Sequence, residues 1–334
     1  MAEREVTIDL NNKPLQEQPK ENKDIKQYDM GPKSLVIKDD ASVVDILLSS
    51  NQDELLPWET IQLPSLGIYY GGRIPDGKVE VRPLGLTADK ILATSRLTQS
   101  GQAIDHIFKR YVRFPDKEFD PLELLVGDRT FLLFYLRGIT HDHMYEFSIE
   151  CSNESCSARS FHEYDLNQLQ SKIQAPKAPS EPIRVALPYL TKRIGKDVWC
   201  EFRLMRGHDL QSLERIKKSQ ARLAGNRNTK NDIVIDKDIE EQLCLLVLNI
   251  NGVSDHHKVQ KIVKEKMSSS DTQAINEAIN SYSPGIDLKI EIVCPECNNH
   301  MSLMLPITET FFRPQNRRGI GEGVDTPNGG GVYS

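Results

Sequence analysis

Two segments far apart in the chain end in the same way: an alternating strand pattern runs into a pair of cysteines. In the first, Tyr145, Phe147 and Ile149 lead to Cys151, with Cys156 beyond it. In the second, Ile286, Leu288, Ile290 and Ile292 lead to Cys294, with Cys297 beyond it. Side chains two residues apart share one face of a strand, so each leading cysteine falls on the apolar side. A return strand pattern follows each pair, Phe161 to Leu166 and Met301 to Ile307. The spacing therefore predicts two β-hairpins, each carrying two cysteines at its tip.

Thiolates are soft ligands suited to Zn²⁺, and a tight turn between two cysteines places both sulfurs on one side, about 2.3 Å from a shared ion. Cys294-Pro-Glu-Cys297 has the composition of such a knuckle. Cys151-Ser-Asn-Glu-Ser-Cys156 is looser but within ligand spacing. Two tips face to face would complete a tetrahedron of Cys151, Cys156, Cys294 and Cys297. Four thiolates leave no position for water or substrate, so the expected cofactor is structural zinc. The competing readings are free thiols or a disulfide. A thioredoxin-like redox pair would need a helix after Cys294, where a strand pattern stands instead. His162 and His300 lie near enough to substitute as ligands but read as turn histidines. The six cysteines, with no apolar h-region at the start of the chain, point to a reducing compartment, where close pairs more often hold metal. Cys200 and Cys244 sit in apolar patterns and read as core residues.

The pairs fall within an internal duplication. Val79-Glu-Val-Arg-Pro-Leu84 feeds a helix pattern through Leu92, and Cys200-Glu-Phe-Arg-Leu-Met205 feeds one from Arg206 to Leu213. The first copy continues with Ile104, Ile107, Phe108 and Tyr111 at helical spacing, then a helix from Asp128 to Arg137 closed by Gly138. In the second copy Ile239, Leu243, Leu246 and Ile250 fall on one helical face, with Asp236 as the N-cap. The resulting expectation is an α+β fold of two similar strand-helix-hairpin halves, 56–174 and 183–314, joined by a zinc-ribbon-like four-cysteine site. The Pro-rich segment 175–182 is the linker. Residues 1–55 read as a flexible N-terminal arm and 315–334 as a Gly-rich C-terminal tail.

Composition narrows the function by exclusion. A net charge of −6 gives no overall pull toward nucleic acid. The exception is local: Arg206, Arg215, Lys217, Lys218, Arg222, Arg227 and Lys230 stand against only Asp209 and Glu214 between 206 and 230. A zinc-ribbon nucleic-acid-binding protein using that segment is the alternative reading. No apolar run approaches the roughly 20 residues needed to span a bilayer. No Gly-x-Ser-x-Gly elbow, phosphate-binding Gly-Lys-Ser/Thr loop or His-Glu-x-x-His helix occurs, so no enzyme, small-molecule substrate or catalytic residue is indicated. His141-Asp-His143 and His256-His257 read as surface loops.

Several further landmarks resemble a known family. They are Leu63-Pro-Ser-Leu-Gly67, Val81-Arg-Pro-Leu84, Asp120-Pro-Leu-Glu-Leu-Leu-Val-Gly-Asp128, Pro284-Gly-Ile-Asp-Leu288, Cys294-Pro-Glu-Cys297, and Leu305-Pro-Ile-Thr308 leading to Phe311-Phe-Arg-Pro314. Together, over residues 60 to 314, they resemble the baseplate hub proteins of T-even-like contractile-tailed bacteriophages. The resemblance implies a structural or assembly role in the hub, with other baseplate or tail proteins as partners. It also implies a location in the virion tail, or in the host cytoplasm during assembly.

Overall fold

The computed structural model describes residues 55–94, 102–225, 238–307 and 311–312. The first strand among the described residues is β1 (Glu59–Gln62), antiparallel to β2 (Lys78–Val81), which pairs in turn with β3 (Val112–Arg113). Helices α1 (Leu86–Leu92) and α2 (Ala103–Tyr111) lie between β2 and β3. Helix α3 (Val126–Thr140) follows, then the hairpin β4 (Met144–Glu150) and β5 (Arg159–Asp165), and the short strand β6 (Ile173–Gln174).

A second three-stranded sheet follows, again with two helices before its third strand and a hairpin further on. Strands β7 (Ile183–Ala186), β8 (Trp199–Phe202) and β9 (Val247–Ile250) form a second antiparallel sheet in the order β7-β8-β9. Helix α4 (Pro188–Ile194) joins β7 to β8, while α5 (Gly207–Gly225) and α6 (Asp238–Leu246) stand between β8 and β9. Helices α7 (His256–Glu265) and α8 (Ser269–Tyr282) follow, then β10 (Gly285–Ile286), which pairs with β6, and the hairpin β11 (Lys289–Val293) and β12 (His300–Met304).

The likeness extends to single hydrogen bonds. Leu63-Pro-Ser-Leu66 follows β1 and Leu187-Pro-Tyr-Leu190 follows β7. Leu63 and Leu187 are fully buried, and each donates its N–H at 2.8 Å to the residue just before the next strand, Gly77 O and Val198 O. Arg82 N donates to Tyr111 O at 3.2 Å, and Arg203 N donates to Leu246 O at 3.0 Å, so each third strand enters alike, Val112 opposite Val81 and Val247 opposite Phe202, before a bulge at Glu201 and Phe202 shifts the second sheet.

Alternation dictates the strands: β2 buries Val79 and Val81 while exposing Lys78 and Glu80. Helix α3 is central, burying Phe131, Leu132, Phe134, Tyr135, Leu136 and Ile139, and its apolar residues surround it rather than forming a stripe. It runs through Gly138 to Thr140, so the expected stop at Gly138 is corrected. A glycine inside a helix costs only about 1 kcal/mol, which packing on every side outweighs. The helical face drawn through Ile250 is also corrected. Helix α6 ends at Leu246 and the chain passes straight into β9, where Val247 and Ile250 are buried, while Ile239 is 51% exposed. A short apolar run fits either period. Asp236 lies outside the described residues. His256 and His257 open helix α7, behind the Asp255 N-cap, instead of lying in a loop.

One apolar core runs continuously through both sets of elements, from Ile61 to Phe312. Its seam is tight. Val126 N donates to Met205 O and Gly207 N to Leu124 O, both at 3.0 Å. A Cβ on Gly127 would lie 1.8 Å from Pro284 O and 2.9 Å from the Cα of Gly285. Arg129 donates to Asp105 at 2.5 Å, and Gln211 donates to the other oxygen of Asp105 at 2.7 Å. The Pro-rich segment belongs to this seam: Ala178 is buried, its carbonyl accepts from the Tyr69 hydroxyl at 2.7 Å, and Glu181 pairs with Arg206 at 2.6 Å. The two sets of elements are thus held by far more than the cysteines.

Candidate metal centre

Strand β4 turns Tyr145 and Phe147 inward and delivers Cys151 to the same face; β11 does so with Ile290 and Cys294. Cys151 N donates to Ala158 O and Cys294 N to Asn299 O, both at 2.9 Å, closing each hairpin tip in the same way. Inside each closure runs the same one-turn loop: Ser157 N donates to Asn153 O at 3.0 Å, and Asn298 N to Cys294 O at 2.9 Å. The residue after the second cysteine is left-handed in both, Ser157 at φ 46° and Asn298 at φ 56°. The tips differ by two residues. Eight residues separate the closing partners in the first, counted from Cys151 to Ala158, against six from Cys294 to Asn299. The looser Cys151 to Cys156 spacing is therefore the tighter knuckle with Ser152 and Asn153 inserted.

The tips meet. All four sulfurs lie within 4.8 Å of one another. Cys151 Sγ is 3.6 Å from Cys297 Sγ, and Cys156 Sγ is 4.0 Å from Cys294 Sγ. These separations are far beyond the roughly 2.05 Å of a disulfide. They match the edge of a tetrahedron with arms of about 2.3 Å, which is about 3.8 Å. The donor set thus fits a four-coordinate zinc ion. Cys151, Cys294 and Met301 form a small buried cluster of their own, flanked by Ile149, Ile292 and Leu303, which shields the sulfurs on one side.

Electrostatics favour thiolate at Cys294, whose pKa falls to about 7 because backbone N–H groups of Cys297 and Glu296 point at its sulfur. At Cys151 the Asn153 N–H pulls the same way, but burial and hydrogen bonds to Cys297 and Cys294 leave it above the ordinary thiol value. Two amides also donate to sulfur, Asn153 Nδ2 to Cys297 and Asn299 Nδ2 to Cys151, each at 3.9 Å. In the sequence Asn299 contributes to the turn composition of a knuckle and neither asparagine is marked as a donor to sulfur; their place two residues after Cys151 and after Cys297 is the signal that points to that role.

Other candidates fall elsewhere. His162 bonds Ser160 Oγ at 2.7 Å and stacks on Phe147, and His300 is exposed on β12; neither belongs to the four-sulfur group. His141 bonds Phe312 O at 3.0 Å, and His143 pairs with Asp142 at 2.7 Å. Burial pushes the thiol of Cys200 up to about 12 and that of Cys244 up to about 11, as expected of inert core cysteines. In the basic segment, Arg206 turns inward to Glu181, and Lys218 pairs with Glu214 at 2.9 Å, so the positive surface is smaller than the sequence suggests.

What emerges is a mixed helix-and-sheet protein of several small sheets, with a four-thiol cluster of two buried and two half-buried cysteines and no helix among the described residues long and apolar enough to cross a membrane. The chain matches the family of the T4 bacteriophage base plate protein over residues 68–313 and belongs to that family. No curated protein and no solved structure matches it. Membership implies a structural part in a phage baseplate, a place in the virion tail and contacts with other tail proteins.

Proposed function

We propose that this protein is a structural or assembly component of the baseplate hub of a contractile tail, working through protein contacts around a structural zinc ion. The observation that carries the zinc reading is the convergence of Cys151, Cys156, Cys294 and Cys297 within 4.8 Å. Bound there, zinc would be saturated by protein sulfur and would supply cross-linking rather than Lewis-acid chemistry. Such a site contributes on the order of 10 kcal/mol to folding at neutral pH, comparable with the net stability of a whole domain. Cys294, with the lowered pKa, is the ligand readiest to bind as thiolate, while the backbone N–H groups at both tips orient the sulfurs. The division into halves 56–174 and 183–314 gives each half one hairpin and two ligands, with 1–55 and 315–334 left to reach partner proteins.

Two measurements test this. Elemental analysis of the purified chain should give one zinc per molecule, and Cys151→Ser and Cys294→Ser should each lose the metal and melt lower. Sub-stoichiometric zinc with unchanged melting sinks the metal assignment. Mass spectrometry of purified particles, beside affinity capture from cells assembling tails, tests the hub role, which predicts hub proteins in the capture.

A further inference from the structure

Resting on the zinc reading, we infer that Asn153 and Asn299 are positioning residues of the metal centre, which stabilise thiolate charge across the seam between the two hairpin tips. Each amide belongs to one tip and donates to a sulfur of the other. Asn153 Nδ2 points to Cys297 and Asn299 Nδ2 to Cys151.

Both amides are held. Asn153 Oδ1 accepts the Ser155 N–H at 3.0 Å, which fixes the oxygen inside its own turn and leaves only the NH₂ group to face Cys297. Its backbone is tied on both sides, since Asn153 N donates to Cys151 Sγ at 3.5 Å and Asn153 O accepts from Cys156 N and Ser157 N. Asn299 Nδ2 also donates to Ser152 Oγ at 3.0 Å, and its carbonyl closes the second tip. Both side chains are half-buried beside the cluster.

The chemical need is plain. Four thiolates around Zn²⁺ carry two excess negative charges, and here Met301, Ile292 and Leu303 keep water from one side. Hydrogen bonds from outer groups to ligand atoms disperse that charge and hold the ligands in place. The backbone N–H groups at each tip serve their own cysteines. The two amides reach the opposite tip, so this part of the stabilisation exists only while the hairpins are together. Metal retention and closure of the seam are thereby coupled.

The test uses the full chain loaded with Co²⁺, whose sulfur-to-metal charge-transfer absorption reports four-thiolate ligation, and a chelator competition read with Zn²⁺. N153S keeps an oxygen for the turn but has no amide; N299A removes the other donor; N153D keeps the turn and adds a negative charge. N153S and N299A should each loosen metal by about 10- to 100-fold and shift the charge-transfer band. The double variant should lose more than either single change, because each amide serves a different sulfur of one cluster. N153D should lose more than N153S. Unchanged affinity and band in N153S and N299A overturn the inference while leaving the zinc site standing. Absence of the thiolate band in the unmodified chain overturns both. Melting of each variant without metal, compared with the unmodified chain without metal, separates lost ligation from lost folding.

Discussion

Asp128 and Asp271 hold the same place in two different helices. Each is the third residue of its helix, α3 and α8, each is fully buried, and each accepts an N–H from the third residue beyond a strand: Ser65 at 3.0 Å after β1, and Tyr189 at 2.9 Å after β7. The pair ties the start of a long helix to the Leu-Pro-x-Leu turn of its own sheet, twice. Asp271 also closes a capping box with Ser268, whereas Asp128 accepts from the Tyr70 hydroxyl.

Burial raises the Asp128 carboxyl from 3.8 to about 6. A folded value above the unfolded one means that the native state holds the proton more tightly. This group therefore adds stability as pH falls from about 6 toward 4, and that contribution is lost as pH rises through the same window. Two units correspond to roughly 3 kcal/mol. Asp128→Asn keeps an acceptor for Ser65 N and cannot ionise. Urea unfolding of both proteins at about pH 4.5 and 7.5 should show the variant gaining about 2 kcal/mol on the wild type at the higher pH, since the unfolded carboxyl is already largely ionised at the lower one. A difference that does not move with pH refutes the assignment.

Gly127→Ala puts a methyl group against the Pro284 carbonyl at 1.8 Å, where backbone must yield on both sides. The expected loss is about 2 to 3 kcal/mol in chemical denaturation, with zinc content unchanged. Stability equal to wild type would mean that the seam is looser than the distance implies.

Asp105→Ala leaves the guanidinium of Arg129 buried without its carboxylate; both side chains of the pair are under one-tenth exposed. Removing one partner of a buried pair costs about 3 to 5 kcal/mol, while replacing both with apolar residues of similar size recovers much of it. The double variant Asp105→Leu, Arg129→Met should therefore melt above Asp105→Ala. The reverse order would contradict the pairing.

Ser157 holds φ 46°, and its hydroxyl donates a long bond of 3.3 Å to Glu154 O. Glycine pays no steric penalty there. Ser157→Gly should raise stability by about 1 kcal/mol, read as a higher melting temperature of the metal-loaded chain.

The hairpins were legible because period two is a local signal and both strands of each carry it. The Leu-Pro-x-Leu repeat was half legible: Leu63-Pro-Ser-Leu66 stood out, but its counterpart leads into a helix with exposed Tyr189, so the copies look unlike on either side of the shared residues. Gly127 meeting Gly285, and Asp105 meeting Arg129 and Gln211, could not be read, since nothing local tells a glycine or a charge which distant segment it will touch. The same applies to Asn153 and Asn299, whose role depends on the opposite tip. Ile250 shows the limit of periodicity itself, where a helix gives way to a strand inside one apolar run.

Because the cysteines pair off at the two hairpin tips, an ion bound there would close residues 157–293 into a loop with the metal at its neck. Tension applied from the first sheet to the segment beyond β12 would then pass through metal–sulfur bonds and bypass the β7-β8-β9 sheet with all its helices. The long stretch between the tips would be mechanically shielded, and a pull on the two ends of the chain would reach that stretch only after the clasp had opened.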